Sequence, residues 1–119
     1  MDKVNISKKL SQFDEHWSPK IIAELNGQEV KLAKIKGEFD WHSHADEDEM
    51  FLVIAGTFTM EYRDRSVVLT EGELVVVPRG VEHRPVAVEE CSIMLFEPAG
   101  VVNTGDAPVS GKTNAAERI

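Results

Sequence analysis

The chain has 119 residues, 42% hydrophobic and 29% charged, an ordinary globular mixture whose size suits one compact domain. Its formal net charge of −8 leaves no electrostatic footprint for nucleic acid or an anionic membrane. No apolar run approaches the ~20 residues of a membrane helix, Met1-Asp2-Lys3-Val4-Asn5 lacks the apolar core of a secretory signal, and Cys91 is a single cysteine, so a cytoplasmic location is expected.

Residues 7–17 have room for one short helical turn in an otherwise irregular N-terminal segment. Residues 20–25 then read as a strand, and Asn26-Gly27 as a hairpin turn, because both residues tolerate positive φ. A strand pattern resumes over 30–36 and stops at Gly37. Residues 50–55 are almost wholly apolar and end at Gly56. Residues 57–63 alternate, with Phe58, Met60 and Tyr62 on one face. Short strands follow over 66–69 and 73–77, separated by Glu71-Gly72. After Pro78-Arg79-Gly80, residues 83–88 and 91–96 give the last two strands. Short strands punctuated by turns predict an all-β sandwich or barrel. From Asn103 onward the chain is polar, which predicts an irregular or mobile tail, or an arm that docks on a partner subunit.

The chemistry is concentrated in three of the four histidines. His42 and His44 are spaced i, i+2, so on a strand they share a face with Cα atoms about 6.6 Å apart. Glu49 follows the acidic turn 45–48, and on a neighbouring strand its carboxylate reaches the same point. His83 begins a later strand, just after Pro78-Arg79-Gly80. Three imidazoles and a carboxylate suit Mn, Fe, Co, Ni, Cu or Zn better than Ca or Mg. Taken alone, His-x-His in an acidic turn more often marks a solvated surface than a metal site, and the acidic run by itself reads as a solvated loop.

The wider spacing resembles the cupin superfamily. Gly37, His42-Ser43-His44, Glu49 and Gly56 are similar to the first cupin motif, G-x5-H-x-H-x3-4-E-x6-G. Gly72, Pro78, Gly80 and His83 are similar to the second, G-x5-P-x-G-x2-H-x3-N. Two departures stand out: four residues rather than five separate Gly37 from His42, and Ala87 replaces the terminal Asn. The resemblance implies a single-domain jelly-roll β-barrel over about residues 20–98, with 99–119 as the tail. It implies a divalent transition metal held by His42, His44, Glu49 and His83, with Glu47 the competing carboxylate, and a homodimer.

Four protein ligands leave about two positions open on an octahedral ion, which suits a working site rather than a closed structural one. Three functions follow from the resemblance. The first is a dioxygenase or oxidase acting on a small oxygen-rich or aromatic compound. The second is a metal-dependent sugar or phosphosugar isomerase or lyase. The third is a noncatalytic metal- or ligand-binding module. An enzyme is favoured because the ligand set is complete, although no general base is evident. Candidate substrate contacts are Arg79 near the barrel mouth, the Tyr62 hydroxyl and Phe51. Trp41 and Arg84 alternate with metal-facing positions and are expected to face away. Pro85 shares the parity of His83 and is expected inside, while Cys91 reads as a core residue.

Overall fold

The computed structural model describes residues 2–119. One short helix, α1 (Ile6–Leu10), is capped where the Asn5 side chain accepts from the Lys8 amide at 2.9 Å. Eight strands follow: β1 (Lys20–Leu25), β2 (Gln28–Glu38), β3 (Glu49–Ala55), β4 (Phe58–Tyr62), β5 (Ser66–Leu69), β6 (Leu74–Val77), β7 (His83–Pro98) and β8 (Glu117–Arg118). The fold is mostly β, as the turn-punctuated sequence predicts.

Strand β7 organises the molecule. It runs antiparallel to β2 along one edge, from Gln28 opposite Pro98 to Glu38 opposite Val86. Its other edge is shared: β4 pairs with its first half, and β3 with its second. The sheet order β5-β4-β7-β2-β1-β8 is completed by β6, which pairs with β3. The sequence suggests two strands over 83–88 and 91–96, and the structure joins them into one of 16 residues. The reason is β2, which pairs with both halves and carries the chain past an irregularity where Gly37 opposes Ala87 and Ile35 opposes Cys91. Gly37 therefore lies inside β2, at φ +86°, rather than ending it. A bulge of this kind bends a long strand without ending its pairing.

Alternation places the core. His83, Pro85 and Ala87, then Cys91, Ile93, Leu95 and Glu97, are the buried positions of β7. Glu49, Phe51 and Val53 are those of β3, and Phe58, Met60 and Tyr62 those of β4. Burying one such large apolar side chain contributes about 1.5–3 kcal/mol, which is what holds these short strands in register. Gly56 is required where β3 turns into β4: its φ is +90°, and a Cβ there would lie 3.0 Å from the Glu90 carbonyl oxygen.

The C-terminal segment is irregular in backbone over most of its length. It packs on its own barrel through polar groups. Asp106 accepts from the Ser43 amide at 2.7 Å, Thr104 is buried, and β8 pairs parallel with β1. Lys20, buried on β1, pairs with Glu117. The polarity that suggests a mobile tail instead supplies hydrogen bonds to loop backbone.

Candidate metal centre

His42 and His83 form an isolated antiparallel bridge, each amide donating to the other's carbonyl, at 3.0 and 2.9 Å. This short bridge replaces the regular strand expected for His42 and His44, and it brings the His42 and His83 rings to 4.3 Å between centroids. His44 is fixed two residues on, where its carbonyl accepts from the Gly80 amide at 2.8 Å. The Pro78-Arg79-Gly80 turn thus ties the loop of the first two histidines to the strand of the third. Glu49 opens β3 opposite Val77, with its side chain directed inward.

One ligand atom from each of His42, His44, Glu49 and His83 lies within 4.8 Å of the other three, and all four residues are buried. Glu47 is half-buried and stays outside the group. Glu49 Oε1 stands 3.5 Å from both His44 Nε2 and His83 Nε2. These three atoms are buried with no hydrogen-bond partner. Such orphaned atoms are costly in a protein interior. Their separation is close to that of donors sharing one transition ion with bonds of ~2.1 Å. The residues therefore fit a divalent metal.

The ring tautomers agree. His42 Nδ1 donates to the Asp40 carbonyl at 2.9 Å, and His83 Nδ1 donates to the Val81 carbonyl at 2.8 Å. A carbonyl only accepts, so each Nδ1 carries the proton and each Nε2 presents a lone pair to the site. Burial, followed by the neighbouring His83, lowers the His42 pKa to about 4 and keeps the ring neutral. Burial also disfavours charge on His44, but Glu49 outweighs it and raises the His44 pKa. Burial alone would raise Glu49, yet Glu97, His44 and His83 together hold its carboxyl below the usual range.

Behind Glu49 lies a group that sequence reasoning missed. Glu97 is buried beside it and accepts from Lys31 Nζ at 2.8 Å, and Lys31 is itself buried. Burial, then the proximity of Glu49, pushes Glu97 up to about 9 despite Lys31. The neutral form of Glu97 is thereby favoured beside the Glu49 carboxylate, with Lys31 Nζ held on its Oε1. Parity was the available signal: Cys91, Ile93, Leu95 and Glu97 fall on one face of β7, and Lys31, Ala33 and Ile35 on one face of β2.

A narrow cavity adjoins the cluster, with about 40 Å³ open to the centre of a water molecule. His42, Glu49 and Glu97 meet there with Phe39, Phe51, Pro85, Ile93, Leu95 and Trp17. Phe51 lines it as expected, its ring 6.1 Å from that of His83. Tyr62 and Arg79 do not. Tyr62 stands opposite His83 across the β4–β7 pairing and packs into the core, with the Arg65 guanidinium over its ring, without lining this cavity. Arg79 is exposed and held by Asp48, which accepts from its amide and its Nε at 2.9 and 3.4 Å. Trp41 faces away from the metal cluster, with the Arg63 and Arg84 guanidiniums at 3.9 and 5.0 Å from its ring. His16 pairs with Glu90 at 2.7 Å and is not part of the cluster.

A family model described as a cupin domain matches residues 28–97. The chain belongs to the cupin family. A cupin-2 domain containing protein from Shewanella frigidimarina NCIMB 400 is 52% identical and superposes with a TM-score of 0.79, covering 80% of this chain and 93% of that one. The Bacillus subtilis (strain 168) protein "Uncharacterized protein YdbB" is 39% identical over 64 residues, 53% of this chain. That match spans 57% of the curated relative's own length. Hydroquinone 1,2-dioxygenase from Sphingomonas sp. TTNP3, with 4-hydroxybenzoate bound, shares the cupin fold at a TM-score of 0.68 and 16% identity, covering 77% of this chain and 71% of that enzyme.

Proposed function

We propose that this cupin is a metal-dependent dioxygenase for a small, flat, largely apolar molecule that carries one or two oxygen functions. His42, His44, Glu49 and His83 would hold the ion, which supplies Lewis acidity and, as a redox-active metal, a path for electrons to O2. A dioxygenase step needs no external reductant, because both oxygen atoms enter the product and the substrate supplies all the electrons.

The composition of the cavity wall carries this reading. Beyond the cluster itself, the walls are Trp17, Phe39, Phe51, Ile35, Ile93 and Leu95, and the polar groups are Glu97 and Asn103. A sugar would bring several hydroxyls into this space and leave most of them unpaired, at ~1–3 kcal/mol each. A planar ring or enol would instead stack against Phe39 or Phe51 and exclude water from the cluster.

The chain's own groups have distinct tasks in this scheme. The backbone carbonyls of Asp40 and Val81 keep the His42 and His83 Nε2 lone pairs turned inward. Glu97, anchored by Lys31, offers a hydroxyl-bearing substrate its polar contact within the cavity. Elemental analysis of protein purified without oxygen, followed by O2 uptake with catechols, hydroquinones and β-diketones, tests the proposal. Uptake dependent on one of these classes supports it. A stoichiometrically loaded, folded protein that consumes no O2 with any of them overturns it.

A further inference from the structure

Among the described residues, Trp17 is one of two other than glycine with positive φ, at +60°. The other, Asn26, sits in a hairpin turn where that conformation is ordinary. A bulky aromatic residue in the left-handed region is an outlier and persists only where its surroundings over-determine it. Here they do. The Trp17 amide donates to the Lys34 carbonyl at 2.9 Å, and its indole Nε1 donates to the Lys36 carbonyl at 3.0 Å. Its own carbonyl accepts from two side chains of the C-terminal segment, Asn103 Nδ2 at 3.1 Å and Asn114 Nδ2 at 3.0 Å. The two asparagines are themselves joined, the Asn114 amide donating to Asn103 Oδ1 at 2.9 Å.

The side chain held this way forms part of the cavity wall. Its ring stacks on Phe39 with centroids 4.5 Å apart, and Phe39 meets His42 edge-on at 5.2 Å. Trp17, Phe39 and Asn103 all line the cavity that reaches His42 and Glu49. Trp17 comes from the N-terminal segment and Asn103 and Asn114 from the C-terminal one, so the two ends of the chain meet at one wall.

We propose that Trp17, clamped by Asn103 and Asn114, is the specificity-determining gate of the cavity. It sets the width of the planar molecule that reaches the histidines, and its release from the two asparagines opens the way in. This inference rests on the proposed function for the identity of the ligand, but not for the existence of the gate.

The test therefore needs no metal and no substrate. Full-length protein stripped of metal is treated with diethyl pyrocarbonate, which acylates neutral imidazole, and modification of each histidine is timed by peptide mass spectrometry. His16 is the surface control, and Cys91 remaining unreactive to a thiol reagent shows that the core is intact. The main variant is Trp17→Gly, which removes the wall but suits the left-handed backbone. His42 in this variant is expected to react about tenfold faster than in wild type, with His16 unchanged, as local opening sets access to a buried group. Asn103→Ala with Asn114→Ala keeps Trp17 and loosens it, and is expected to accelerate His42 in the same direction. An unchanged His42 rate in folded Trp17→Gly overturns the gate. If Trp17→Gly exposes Cys91, the double asparagine variant decides in the same way. Metal uptake is measured on a separate wild-type sample: its failure overturns the dioxygenase reading and leaves the His42 comparison to decide the gate.

Discussion

His42 and His83, 41 positions apart in sequence, are direct cross-strand partners, each backbone amide donating to the other's carbonyl. The bridge aligns two imidazoles whose Nδ1 protons are already committed to carbonyls. The orientation of the lone pairs is thus set by backbone hydrogen bonds before any ion arrives, which lowers the ordering cost of binding.

Replacing both partners tests the centre directly. His42→Ala with His83→Ala is expected to reduce metal content from about one ion per chain to none, while the far-ultraviolet circular dichroism of the barrel persists. The β2, β3 and β4 pairings of β7 do not depend on either imidazole, so the fold has its own support. Metal content unchanged in this variant would remove the assignment.

The Lys31–Glu97 pair makes a separable prediction about stability. Glu97→Leu leaves the buried Lys31 ammonium with Glu29, 3.6 Å away, as its remaining carboxylate contact among the described residues, and is expected to cost about 3 kcal/mol in urea denaturation. Lys31→Met together with Glu97→Leu is expected to recover most of that loss, since an apolar pair needs no compensating charge. Glu97→Gln keeps an acceptor for Lys31 in a side chain of the same shape, and is expected to stay within about 1 kcal/mol of wild type. Equal losses in all three variants would show that the charge pairing is not what matters.

Cys91 gives a prediction about pH. It is fully buried, and burial pushes its thiol up to about 11 from an ordinary value of 9.0. The native protein at pH 8 is therefore expected to be inert to a thiol-disulfide reagent over minutes, and the denatured chain to react with one equivalent. The unfolded thiol releases its proton first, so this group lowers stability as pH rises from 9 toward 11 and has no effect below that window. Rapid labelling of the native protein at pH 8 would contradict the packing described for β7.

Much of the barrel was legible because strand alternation and turn chemistry are local. Phe58, Met60 and Tyr62 on one face, and Gly56 and Gly80 at positive φ, could be read from neighbours alone. The four metal-facing residues could be picked out because His42 and His44 share a face at i, i+2, and because Glu49 and His83 stand at the spacings of the two cupin motifs. The continuity of β7 could not, because Glu89 and Glu90 look like a break until β2 is seen to pair on both sides of them. The turn beside His83 suggests Arg79 as a site residue, and the inward face of residues 57–63 suggests Tyr62. Asp48 captures the first at the surface, and the second is taken up in the core cluster opposite His83 without lining the cavity.

The sequence by itself determined most of the strands, the turns and, through the resemblance to the cupin motifs, the identity of the clustered donors, since these depend on residue type and spacing along the chain. Only the tertiary structure decided what surrounds those donors. Lys31 and Glu97 meet across paired strands, and Trp17 is fixed by amides 86 and 97 residues away. Contacts at such separations are set by which strands pair and how the chain ends fold back, and no local pattern in the chain encodes them.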